Sequence, residues 1–121
     1  MNKIVFNIPI YDFDVTILEV QQKEDSIEVC DMLRTISEDE SSISQVAEYI
    51  VNEDMNGGDT FRNMPMKQFI VVIYPCRDEQ IRREIINHEK RHIEDRIIQY
   101  CGIDDIEASA YLAGYISKFM Y

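Results

Sequence analysis

Residues 68–74 read Gln-Phe-Ile-Val-Val-Ile-Tyr, and residues 78–101 follow as DEQIRREIINHEKRHIEDRIIQYC. The first run is uninterrupted, apolar and β-branched, and Pro65 and Pro75 bound it. Such a run reads as a sheet strand buried on both faces. In the second run Ile81, Ile85, Ile86, Ile93, Ile97 and Tyr100 recur at spacings of three and four, the period of one helix face. The pattern is helical from Asp78 onward, and Gly102 supplies its stop. A strand followed directly by a long helix implies a domain of mixed class. The expectation is a small α+β domain spanning residues 1–121.

Upstream, residues 3–20 read as two extended segments. Ile4, Phe6 and Ile8 alternate with Val5 and Asn7 before Pro9, and Val15, Ile17, Leu18 and Val20 form the second. Ser26 is placed to cap a helix carrying Ile27, Cys30, Leu33 and Ile36. SEDESS (37–42) reads as a solvated linker, with Ser42 or Ser44 capping a second helix whose stripe is Val46, Ile50 and Val51. Asn56-Gly57-Gly58 is a turn signal, because glycine tolerates positive φ, and Thr60-Phe61 reads as a short strand after it. Downstream, Asp104 is the expected cap of a last helix containing Ala108, Ala110, Leu112, Ala113, Ile116 and Phe119.

Composition narrows the function. Twelve basic residues stand against 23 acidic ones, for a formal charge of −11. Binding to nucleic acid or to an anionic membrane requires cations that neutralise phosphates, so neither is expected as a partner. No apolar run approaches the ~18 residues of a membrane span, and no basic-then-apolar leader pattern opens the sequence. Cys30, Cys76 and Cys101 are odd in number and form no CxxC pair, which points to free thiols in the reducing cytoplasm.

The chain's two histidines both fall in His88-Glu89-Lys90-Arg91-His92, an H-E-x-x-H sequence inside the 78–101 helix. Four residues advance a helix by about 6 Å and a little over one turn, so both imidazoles project from one face. They can meet one Zn²⁺ at roughly 2.0–2.1 Å. Glu89 lies on the flank of that face, where a carboxylate takes a proton from a metal-activated water as general base. Two surface histidines on a charged helix are the plainer alternative.

Glu107 is a candidate third ligand, because the Gly102 stop turns the chain back toward the helix. It also completes an Asp104-x-x-Glu107 capping box, which by itself accounts for a glutamate there. If the first helix continues to Cys101, its end lies about 13.5 Å beyond His92. Glu107 then reaches the metal only if the two helices cross. Tyr111 and Tyr115 share a face with Glu107 and are candidate oxyanion donors, or amphipathic core tyrosines. Arg62 is expected to anchor to the acidic N-terminal half.

HEKRH followed by EASAYLA (107–113) resembles the gluzincin class of zinc metallopeptidases, in particular the small domains related to bacterial ImmA/IrrE peptidases. The NGG-TFRN, NHEKRHIEDRI and DDIEASAYLAGY blocks are similar to compact zincin-like proteins of Bacteroidales phages and mobile elements. The resemblance implies His88, His92 and Glu107 as zinc ligands, Glu89 as general base, and a peptide or protein substrate. It also implies an edge strand beside the cleft, for which residues 68–74 are the candidate. Lys90 and Arg91 stand where the family carries uncharged residues, and Tyr111 where it carries a further acid. The expected function is that of a zinc-dependent metallopeptidase. The rival is an inactive acidic interaction protein, phage-encoded, in which the HExxH helix is structural or binds metal only.

Overall fold

A computed structural model describes residues 1–121. Its elements in chain order are β1 (Asn2–Ile8), β2 (Phe13–Glu19), a short 3-10 turn over residues 23–25, and α1 (Ser26–Thr35). Then come α2 (Glu40–Val51), β3 (Gly58–Asn63), β4 (Gln68–Ile73), α3 (Glu79–Cys101) and α4 (Ile106–Ile116). The class is α+β: one four-stranded sheet in the order β1-β2-β4-β3, with two helices on each face. The β2–β4 pair is parallel and the other two pairs are antiparallel.

Strand alternation distributes side chains between two cores. Phe69, Val71 and Ile73 of β4 join Phe13, Val15 and Ile17 of β2 on the face covered by Ile86, Ile93 and Ile97 of α3 and Leu112 and Ile116 of α4. Ile70, Val72 and Tyr74 turn to the opposite face, against Val29 and Leu33 of α1 and Ile43, Val46 and Ile50 of α2. The double burial read from residues 68–74 follows from this position at the centre of the sheet. Burying an aliphatic or Phe side chain contributes about 1.5–3 kcal/mol, so apolar residues on both faces fix β4 in the interior.

That same position corrects the edge-strand assignment. β4 has neighbours on both sides, so residues 68–74 offer no free backbone; the free edge nearest α3 belongs to β3. Strongly apolar sequence marks centrality, whereas the edge strand GDTFRN is mostly polar.

Local details also differ. Ile27 is 72% exposed, and Val29 takes its place in the core. Val51 likewise faces solvent. The α2 cap is Asp39, whose Oδ1 accepts from the Ser42 N–H at 2.7 Å, so neither serine caps it. The α4 cap is Asp105, which accepts from the Glu107 N–H at 2.9 Å. One residue's shift from Asp104 removes the expected capping box, because Glu107 is no longer three residues past the cap. Asp78 caps α3 through the Ile81 N–H at 2.9 Å, and Gly102, the stop expected from the sequence, ends it in the left-handed region at φ 65°. In the 56–58 turn Asn56, not a glycine, adopts positive φ.

Candidate metal centre

α3 is a continuous helix through the HExxH segment, so His88 and His92 emerge one above the other on its solvent side. Their Nε2 atoms are 3.2 Å apart and the rings meet edge to face at 87°. Two nitrogens separated by 3.2 Å, each ~2.0–2.1 Å from a shared cation, subtend about 100–106° there, near the tetrahedral angle. Glu89 completes a group whose ligand atoms all lie within 4.8 Å of one another. The group can hold a metal ion.

Glu89 is the unusual member. It occupies the edge of the buried stripe of α3 and is only 3% exposed. Its Oε1 accepts from the Thr60 hydroxyl at 3.4 Å, while Oε2 is buried with no hydrogen-bond partner. Burial pushes its carboxyl above the usual range, against the opposing influence of His92 and His88. A buried carboxylate oxygen without a partner costs free energy that a bound cation or a polarised water would recover. The other buried acid of α3, Glu94, has a cation in place: Lys90 Nζ lies 3.6 Å away and also donates to Ser117 Oγ at 2.7 Å. Glu94 Oε1 likewise makes no hydrogen bond, but it faces that ammonium, whereas no Lys or Arg pairs with Glu89.

Gly58 sets how closely β3 approaches this helix. A Cβ at position 58 would fall 2.9 Å from Ile85 Cγ2 and 3.2 Å from Glu89 Cγ, closer than side chains pack. Glycine therefore serves close approach here rather than the turn. Between β3 and α3 lies a cleft of about 280 Å³, lined by the metal group together with Gly58, Asp59 and Thr60. Arg62 and Arg96 complete the lining. Asp59 is held elsewhere, since its Oδ2 accepts from the Tyr74 hydroxyl at 2.9 Å; burial and this carboxylate keep Tyr74 protonated.

Glu107 does not join the group. Its side chain is exposed, and its backbone N–H serves the Asp105 cap. The reason is visible on α3. Lys90, which reaches Ser117 at the end of α4, lies about 160° around the helix from both imidazoles. α4 thus packs along one flank of α3 and toward β1, where Phe119 stacks on Phe6 at 4.3 Å, while the histidines face β3 on the other flank. Tyr111 and Tyr115 go with α4: Tyr111 is half exposed, and Tyr115 packs against Phe119 and the core. Neither lines the cleft. Arg62 makes no ion pair with the N-terminal half and instead faces the cleft.

Thr60, Gly58 and Arg96 are the site residues that sequence reading passed over. Arg96 carried a signal, one turn beyond His92 on the same helix face. Thr60 and Gly58 required the pairing of β3 with β4. No known family profile, curated protein or solved structure matches this chain.

Proposed function

We propose that this protein is a metal-dependent hydrolase of peptide bonds, with zinc as the cation at His88 and His92 and Glu89 as general base. The observation that carries the reading is the buried carboxylate of Glu89, one oxygen of it unpartnered, beside two imidazoles poised to share one ion. A divalent cation bound there would polarise a water and the carbonyl oxygen of the substrate. The chain's own residues supply the rest. His88 and His92 act through neutral ring nitrogens. Glu89 takes a proton as the water oxygen bonds to the carbonyl carbon, and returns it to the amine as the C–N bond breaks. Thr60 donates to Oε1 and steadies the carboxylate that does this. The free edge of β3 runs beside the group and suits an extended chain added as a further strand. Three free cysteines fit a reducing compartment such as the cytoplasm. No helix is long and apolar enough to cross a membrane.

A second reading has its own observation. Glu107 stands across α3 from the imidazoles, so the ligand set lacks the carboxylate that the gluzincin resemblance implies. An acidic interaction protein whose HExxH helix binds metal without catalysis accommodates that absence.

One experiment separates them. Tag-free protein is assayed for metal content and for cleavage of an extended-peptide library, alongside Glu89→Gln. The hydrolase reading expects about one equivalent of zinc in both forms and hydrolysis reduced by at least ~10²-fold in the variant. Zinc without cleavage in the parent favours the interaction protein, as does the absence of any bound metal. Equal cleavage by parent and variant refutes Glu89 as the base.

A further inference from the structure

The cleft beside the metal group contains two cations that form no ion pair, although Asp59 and Glu89 share its lining. Arg62 on β3 and Arg96 on α3 both line it, both are exposed, and neither guanidinium takes part in an ion pair or a side-chain hydrogen bond. This is unusual for a chain with 23 acidic residues, where Arg34, Arg77, Arg82, Arg83 and Arg91 each pair with a carboxylate.

Their placement is directional. Register pairs Gly58, Thr60 and Arg62 with Ile73, Val71 and Phe69, so all three project from the face of β3 that looks at α3. Thr60 already touches Glu89, and Arg62 lies two residues, about 6.6 Å, farther along the strand. Arg96 is one turn, about 6 Å, beyond His92 and close to the same helix face. Both guanidiniums therefore enter one end of the cleft, on the side toward the C-terminus of α3. Two guanidiniums next to a divalent-cation site repel that cation and each other, unless an anion lies between them. Planar guanidiniums take carboxylates in bidentate fashion.

We propose that this end of the cleft receives a substrate carboxylate, the free α-carboxylate of a peptide, so that the protein removes one or two residues from a C-terminus. The inference rests on the hydrolase reading for the metal end and on the arginines alone for the carboxylate end. An extended chain spans about 3.3–3.6 Å per residue, so a carboxylate held about 6–7 Å from the metal group places the bond to be cut one or two residues upstream. An Asp or Glu side chain at the same distance offers the same chemistry from within a chain, and the test distinguishes the two sources.

The probes are N-acetyl-Ala-Ala as the free acid, its C-terminal amide, and N-acetyl-Ala-Asp-amide. Each is titrated into ¹⁵N-labelled full-length protein, zinc-treated and metal-free, and read by the arginine Nε–Hε resonances. Arg62→Gln and Arg96→Gln are run in parallel. The free acid should bind at least about tenfold more tightly than the amide, with shifts centred on Arg62 and Arg96. Either substitution should reduce that preference to less than about threefold. Equal binding of acid and amide by the parent overturns the proposal, as does a preference that survives both substitutions. Binding of N-acetyl-Ala-Asp-amide as tight as the free acid overturns the C-terminal specificity. A preference that persists in protein unable to retain zinc supports the arginine site while removing the hydrolase reading; zinc retention without the preference does the reverse.

Discussion

Replacing Gly58 with alanine probes how the fold holds its metal group. The new methyl would lie 2.9 Å from Ile85 Cγ2 and 3.2 Å from both Glu89 Cγ and Ile73 Cδ1. Carbon atoms settle at about 3.5–4.0 Å, so the worst contact must open by about 0.6–1.1 Å. Ile85 cannot swing aside cheaply, because a β-branched residue in a helix has one strongly preferred χ1 rotamer. The strand and helix must separate instead. Overpacking of this kind costs about 1–3 kcal/mol. For a chain of 121 residues each kcal/mol lowers Tm by about 3–5 °C, so a fall of about 3–15 °C is expected. Separation also draws Thr60 away from Glu89 Oε1, whereas His88 and His92 lie on one helix and keep their spacing, so zinc affinity should change little. Gly114 is the control: a Cβ there meets nothing within 4 Å. Its replacement by alanine inside α4 should stabilise by up to ~1 kcal/mol and leave zinc binding alone. Differential scanning calorimetry and competition against a chromophoric chelator measure both quantities. A Gly58→Ala protein that melts within 1 °C of the parent refutes the close-approach argument.

Two further outcomes follow from the geometry. His88→Ala and His92→Ala should each abolish stoichiometric zinc binding while Glu107→Ala leaves it unchanged, as read by equilibrium dialysis; a large loss in Glu107→Ala would contradict the placement of α4. Zinc affinity of the parent should also fall on acidification, because a protonated imidazole is not a ligand. Asp25 sets a second pH dependence. Burial alone would raise its carboxyl, but the Gln21 and Gln22 N–H groups donate to its Oδ2 at 2.9 and 3.1 Å and hold it below the usual range. Because the folded value is depressed, its contribution to stability is present above the unfolded value of ~3.9 and disappears as pH falls through the folded one. Asp25→Asn should therefore destabilise by on the order of 1 kcal/mol near pH 7, and the gap from the parent should close below about pH 4 in urea titrations. A gap that is constant with pH would show that ionisation of Asp25 is irrelevant.

The sequence determined whatever depends on neighbours along the chain. The i,i+4 spacing of His88 and His92 fixes their shared face because helix geometry is local, and that spacing lets their Nε2 atoms stand 3.2 Å apart. Asp78 and Gly102 bound α3 for the same reason. The double-faced burial of residues 68–74 was legible from apolar content alone. Capping was less so: Asp39 and Asp105 sit within runs of Ser and Asp where several residues offer an acceptor, and only the path of the chain selects one. Tertiary structure decided everything that depends on which flank of α3 meets which partner. Strand order put β3, not β4, at the edge beside the histidines. The attachment of α4 to β1 and to Lys90 carried Glu107, Tyr111 and Tyr115 to the far side of the helix. Arg62 and Arg96 are 34 residues apart in sequence, and only the packing of β3 against α3 through Gly58 brings them to one cleft. Periodicity names the faces of a helix or strand, whereas long-range burial chooses what each face will meet.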